Sequence, residues 1–186
     1  MINKIKLIIT DVDGVLTDGS LYIGKDGIEY KKFSVLDGAA VKYAKFAKIE
    51  IAVISGRYSD ATTSRMKELG LNKLCFQDAL NKIKPYEEIR KKLDLDHDEI
   101  AYIGDDLIDI PVLEKVGLPI CSNDAHEYVK KISKFCTESK GGDGVFREVV
   151  EYILKGQGRF EETLNSIKEH IYKKWVNQKI LKFVKM

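Results

Sequence analysis

Hydrophobic positions along the chain gather in short runs rich in β-branched residues: IKLIIT (5–10), IEIAVIS (49–55), KLCF (73–76), EIAYIG (99–104) and LPIC (118–121). Apolar runs of this length predict strands buried on both faces. The intervening segments 37–48, 59–69, 81–93, 107–116 and 125–133 read as helices. Strands alternating with helices predict a parallel sheet covered on both sides, a doubly wound, Rossmann-like α/β fold.

One interval breaks the alternation. SLYI and IEYKKF flank GKDG, two strand-like runs about a glycine turn, which predicts a hairpin over about 20–33. It follows the first strand, at the end of the sheet where open α/β folds bind ligands. Its apolar residues Leu21, Tyr22, Ile23, Ile28, Tyr30 and Phe33 are many for a solvated ribbon, which predicts burial against another subunit. Residues 156–186 read as one long polar helix with Phe160, Leu164, Ile167, Ile171 and Trp175 at helical spacing. Lys173, Lys174, Lys179, Lys182 and Lys185 would suit a membrane surface or a polyanion, but Glu161, Glu162 and Glu169 dilute that charge. Packing on the domain or a sister subunit is the stronger expectation.

The 186 residues suit one domain with an appendage, drawn as 1–155 and 156–186. With 44% hydrophobic and 32% charged residues and a formal charge of +2, the composition is globular and gives no overall signal for nucleic acid. Apolar runs of only a few residues exclude a signal peptide or membrane-spanning helix as expectations, so a cytoplasmic protein is predicted. Cys75, Cys121 and Cys136 are odd in number and widely spaced, as are His97, His126 and His170, which fits neither a disulfide framework nor a zinc site.

Four strand ends carry chemistry. In DVDG, Asp11 and Asp13 stand two apart before Gly14; side chains at i and i+2 share a face, and two carboxylates forced together need a cation. A hard ion such as Mg²⁺ bridges carboxylates to phosphate. YIGDDLID places Asp105, Asp106 and Asp109 after another strand; a helix start would account for Asp106 alone, not for a matching cluster. Ser55, Gly56 and Arg57 follow a third strand, where oriented N–H groups bind phosphate oxygens. Lys82 opens a helix after a fourth.

In the order DVDGVLTDG, ISGR, lysine and GDDLID, the chain resembles the haloacid dehalogenase-like phosphotransferase superfamily from residue 5 to about 155. The hairpin standing in place of a cap domain, FSVLDG (33–38), SRMKELG and GGDGVFREVVEYIL (141–154) resemble its phosphatases of phosphorylated 2-keto sugar acids. The resemblance implies a Mg²⁺-dependent phosphomonoesterase, with 3-deoxy-D-manno-octulosonate 8-phosphate the first expected substrate and a nonulosonate 9-phosphate the second. It implies Asp11 as the nucleophile, Asp13 as acid and then base, and Ser55, Gly56 and Lys82 around the transferring phosphoryl group. Mg²⁺ would be held by Asp11, the Asp13 carbonyl and Asp105, with Asp106 and Asp109 supporting its waters and Lys82. Asp37, Gly38, Lys42, Arg57 and Arg65 would receive the sugar acid, a guanidinium suiting a carboxylate. Asp37 also suits a helix N-cap, and Lys42 and Arg65 a helix surface. A homotetramer whose hairpins enclose neighbouring sites, and a place in lipopolysaccharide biosynthesis, are implied as well. Leu36, Ala40 and Gln77-Asp78 depart from the pattern, at positions that bear on the sugar end. Two other classes share parts of it. A receiver-like regulatory domain also has a strand-end aspartate, Mg²⁺ and a lysine, but Asp13 would shorten its phosphoaspartate; an inactive oligomeric scaffold would not need the full motif set.

Overall fold

The computed structural model describes residues 2–184, with side chains as far as 174. The side chains of Trp175, Lys179 and Lys182, and Lys185 altogether, lie outside the described part. The strands are β1 (Leu7–Thr10), β2 (Tyr22–Ile23), β3 (Glu29–Tyr30), β4 (Glu50–Ile54), β5 (Cys75–Phe76), β6 (Ile100–Gly104), β7 (Leu118–Cys121) and β8 (Phe135–Cys136). The helices are α1 (Val35–Phe46), α2 (Asp60–Leu69), α3 (Ile83–Lys92), α4 (Ile110–Leu113), α5 (Glu127–Ile132), α6 (Val145–Gly156) and α7 (Phe160–Val184).

Six strands form a parallel sheet in the order β5-β4-β1-β6-β7-β8, and β2 and β3 form the separate hairpin. Strand β1 pairs with β4 on one side, Leu7 beside Glu50, and with β6 on the other, Leu7 beside Ile100. The chain runs outward from β1 to β5, then returns to β6, so the strand order reverses at β1. Ligand crevices of doubly wound sheets lie at that reversal.

Period-two alternation sorts the apolar runs between two cores. Ile8, Ile51, Val53, Ala101 and Ile103 pack with Ala40, Val41 and Ala44 of α1, Met66 of α2 and Phe146, Val149, Val150 and Ile153 of α6. Leu7, Ile9, Ala52, Ile54, Ile100 and Tyr102 pack with Tyr86 and Ile89 of α3, Val112 and Leu113 of α4, and Val129 of α5. Asp11 continues the second face beyond the strand end.

The hairpin is shorter than its sequence suggests, two residues per strand, and Leu21, Tyr22, Ile23, Ile28 and Tyr30 are all exposed. Phe160 and Thr163 seat the start of α7 on the domain, and the Phe46 and His170 rings meet edge to face. Farther along, Ile171 is exposed. Among the described residues no helix is long and apolar enough to cross a membrane.

Candidate active site

Asp11 is buried at the end of β1, and its backbone N–H still donates to Ile103, extending the sheet one step. Its Oδ1 accepts from the Val12 N–H at 2.6 Å and its Oδ2 from Lys82 Nζ at 2.6 Å. Lys82, at the N-terminal boundary of α3, has a fully buried side chain and also donates to Asp109 Oδ1 at 2.7 Å. Asp109 is saturated: Tyr102 Oη donates to Oδ1 at 2.6 Å, and the N–H groups of Asp105 and Asp106 donate to Oδ2 at 3.0 and 3.2 Å. It locks the β6 turn and aims Lys82 at Asp11.

Ligand oxygens of Asp11, Asp105 and Asp109 lie within 4.8 Å of one another. Three carboxylates thus face one ammonium, a deficit of two positive charges that a divalent cation would balance. Burial, then the neighbouring carboxylates Asp11 and Asp109, push the Asp105 carboxyl up to about 8. Burial pushes Asp11 up to about 7, with Asp109 adding and Lys82 opposing. The two carboxylates hold Lys82 above its ordinary value although burial pulls the other way. Because Asp109 already accepts four hydrogen bonds, Asp11 and Asp105 are the carboxylates with lone pairs left for a metal. The donor set of hard oxygens fits Mg²⁺. Gly14 makes the approach possible: its φ is +83°, and a Cβ there would overlap the Asp105 carboxylate.

The other expected residues divide into two groups. Asp13 is at the site, its carboxylate held by Lys31 Nζ at 2.6 and 2.7 Å and by Thr17 Oγ1 at 3.3 Å. Ser55 is buried and its Oγ donates to the Arg57 carbonyl at 3.0 Å, shaping the turn after β4. A Cβ on Gly56 would lie 3.0 Å from the tip of Ile108 and 3.9 Å from that of Leu80. Arg57 donates to Glu29 Oε2 at 2.9 Å. Asp106 accepts from the Leu107 N–H, starting the turn 107–109 as a local cap.

Asp37, Gly38, Lys42 and Arg65 make their contacts around α1, α2 and α6 instead. Ser34, not Asp37, caps α1; Asp37 is buried in the first turn and accepts from the Arg147 N–H of α6 at 3.0 Å. Arg65 donates to the Ser34 carbonyl and to Glu68 and lies over Phe33 and beside Gly38. Lys42 lines the hollow between α1 and α7 with Tyr43, Ile167 and His170.

Sequence reading missed Glu29, Lys31, Thr17 and Tyr102 as parts of the site. Glu29 and Lys31 carry a findable signal, since in IEYKKF they alternate with Ile28 and Tyr30 and must share the opposite face. Tyr102 is hidden inside an apolar run.

A doubly wound sheet with paired aspartates after β1, a Ser-Gly turn after β4, a buried lysine before α3 and an aspartate cluster after β6 defines a haloacid dehalogenase-like phosphotransferase. A family model described as haloacid dehalogenase-like hydrolase matches residues 76–149. The chain is 41% identical over 159 residues to the 3-deoxy-D-manno-octulosonate 8-phosphate phosphatase of Escherichia coli K12, covering 86% of this chain and 84% of that one. The crystal structure of the Yersinia pestis 3-deoxy-D-manno-octulosonate 8-phosphate phosphatase superposes with a TM-score of 0.83 at 38% identity, over 86% of each chain. The Moraxella catarrhalis phosphatase of the same name, solved with magnesium, phosphate and KDO, gives 0.85 at 36% identity over 89% of this chain and 95% of that one. The chain belongs to the haloacid dehalogenase-like phosphatases, in the family of the 3-deoxy-D-manno-octulosonate 8-phosphate phosphatases, hydrolases of phosphate monoesters.

Proposed function

We propose that this chain hydrolyses 3-deoxy-D-manno-octulosonate 8-phosphate through a phosphoaspartate on Asp11, with Mg²⁺. The observation that carries the reading is the Asp11, Lys82, Asp109 and Asp105 cluster at the β1 end, in a chain 41% identical to a phosphatase of that name. Asp11 attacks phosphorus, and a new carboxylate O–P bond forms as the ester P–O bond breaks. Asp13 gives its proton to the departing alkoxide, then takes one from the water that cleaves the phosphoaspartate, releasing inorganic phosphate and restoring Asp11. Lys82, the Ser55 hydroxyl and the Gly56 N–H hold the transferring oxygens. Asp11, Asp105 and the Asp13 carbonyl would hold Mg²⁺, which would offset the repulsion between nucleophile and phosphate, and Asp106 would support its waters.

At the sugar-acid end, Arg57 follows the Ser55-Gly56 turn and pairs with Glu29 of the hairpin. Gly38, Lys42 and Arg65, which line one hollow between α1 and α2, and Asp37, on the α6 side of α1, complete the proposed sugar site. We extend the proposal to a cytoplasmic homotetramer, supported by the exposed apolar face of the hairpin, and to a division into a catalytic domain 1–155 and an extension 156–186. Phosphate release from the octulosonate and nonulosonate phosphates, with and without Mg²⁺, tests the reading. Turnover of the octulosonate ester, abolished in Asp11→Asn, supports it; turnover of neither ester rejects the substrate.

A further inference from the structure

The hairpin is charged on the side that faces its own domain and apolar on the side that faces out. Leu21, Tyr22, Ile23, Ile28 and Tyr30 are exposed, while the Lys31 side chain is 0% exposed. Lys31 Nζ grips both oxygens of Asp13, at 2.6 and 2.7 Å, and stands 3.5 Å from Glu29 Oε1. Glu29 Oε2 in turn accepts from Arg57. Asp13, Lys31, Glu29 and Arg57 therefore alternate in sign across the ends of β1 and β4. Burying an ammonium is costly, and an apolar residue would seat a ribbon more cheaply. A buried lysine placed on this carboxylate does something that packing does not require.

We propose that Lys31 is a positioning residue for Asp13: its two hydrogen bonds fix the direction of the carboxylate, the bond to one oxygen remaining when the other carries the proton, and Glu29, braced by Arg57, fixes Lys31. The inference rests on the reading of Asp13 as the proton-transferring group. It makes the hairpin part of the catalytic apparatus of its own chain, so whatever seats the hairpin also aligns Asp13. A misplacement of about 1 Å can cost a hundredfold in rate.

The test compares Lys31→Met, Lys31→Arg, Glu29→Gln and Asp13→Asn on two esters in saturating Mg²⁺, with melting curves beside the kinetics. One ester is the sugar-acid phosphate that wild type turns over best, whose alkoxide needs a proton. The other is p-nitrophenyl phosphate, whose phenolate leaves without one. Lys31→Met is expected to lose about 10- to 100-fold in kcat/KM on the sugar ester and much less on the aryl ester, with part recovered in Lys31→Arg. Equal losses on both esters, or none, overturn the inference. Glu29→Gln, which loosens Lys31 without removing it, shows the same split at smaller size and decides the matter where Lys31→Met does not fold. If Asp13→Asn itself shows no such split, the reading of Asp13 fails, and that failure is distinct from failure at Lys31 alone.

Discussion

Asp11 Oδ2 and Lys82 Nζ, separated by 71 residues of sequence, meet at 2.6 Å in a buried ion pair that Asp109 shares at 2.7 Å. Removing one partner of such a pair leaves buried charge without an opposite, which costs about 3–5 kcal/mol. Lys82→Met is therefore expected to lose about that much stability in urea unfolding without metal at pH 9, where Asp11 is ionised in wild type, along with its phosphatase activity. A loss below about 1 kcal/mol would show that Lys82 does not hold two buried anions.

Gly14 is the joint between the two aspartate clusters. Alanine there must adopt φ near +83° and bring its methyl against the Asp105 carboxylate. Gly14→Ala is expected to weaken Mg²⁺ dependence of the rate by about 10- to 100-fold in apparent affinity, the cost typical of disturbing what orients a ligand. An unchanged Mg²⁺ titration would remove Asp105 from the proposed ligand set.

Without a cation Asp105, titrating at about 8, is mostly protonated at pH 7, while Asp11, titrating at about 7, is about half ionised. A metal needs both as carboxylates, so binding must release protons, and affinity must fall as pH drops through 8 and then 7. Calorimetry in buffers of different ionisation enthalpy should show proton release at pH 7 and little at pH 9. Equal Mg²⁺ affinity at pH 6 and pH 9 would contradict this.

The sheet was legible because buried parallel strands announce themselves as continuous apolar runs, and β7 falls where LPIC does. Strand β8 was not, because one half-buried and one exposed residue at the sheet edge need no apolar run. KLCF is only half strand: residues 72–74 form a 3-10 turn before β5. The expected helix over 107–116 splits into a turn capped by Asp106 and the short α4, since Asp109 is drawn inward by Lys82 and Tyr102. Spacing showed the aspartates of the site, which end apolar strands. It did not show Lys31, because the apolar residues of the hairpin drew attention to the face that points away from the chemistry.

Asp37 separates a structural role from a binding one. It is buried, its Oδ1 accepts from the Arg147 N–H, and its Oδ2 has no hydrogen-bond partner. Burial pushes its carboxyl up to about 6, with hydrogen bonds from α6 opposing. The folded state thus holds a proton that the unfolded chain releases near 4, so stability falls as pH rises from about 4 to about 6 and stays lowered above it, by roughly 3 kcal/mol at most. Asparagine keeps the acceptor for Arg147 and removes the buried charge. Asp37→Asn is expected to melt at the same temperature as wild type or higher at pH 8, and to lose the decline between pH 4 and 6. If Asp37 also receives the sugar acid, the same variant raises KM while its melting temperature does not fall. A lower melting temperature with an unchanged KM would assign the carboxylate to holding α1 against α6 and nothing more.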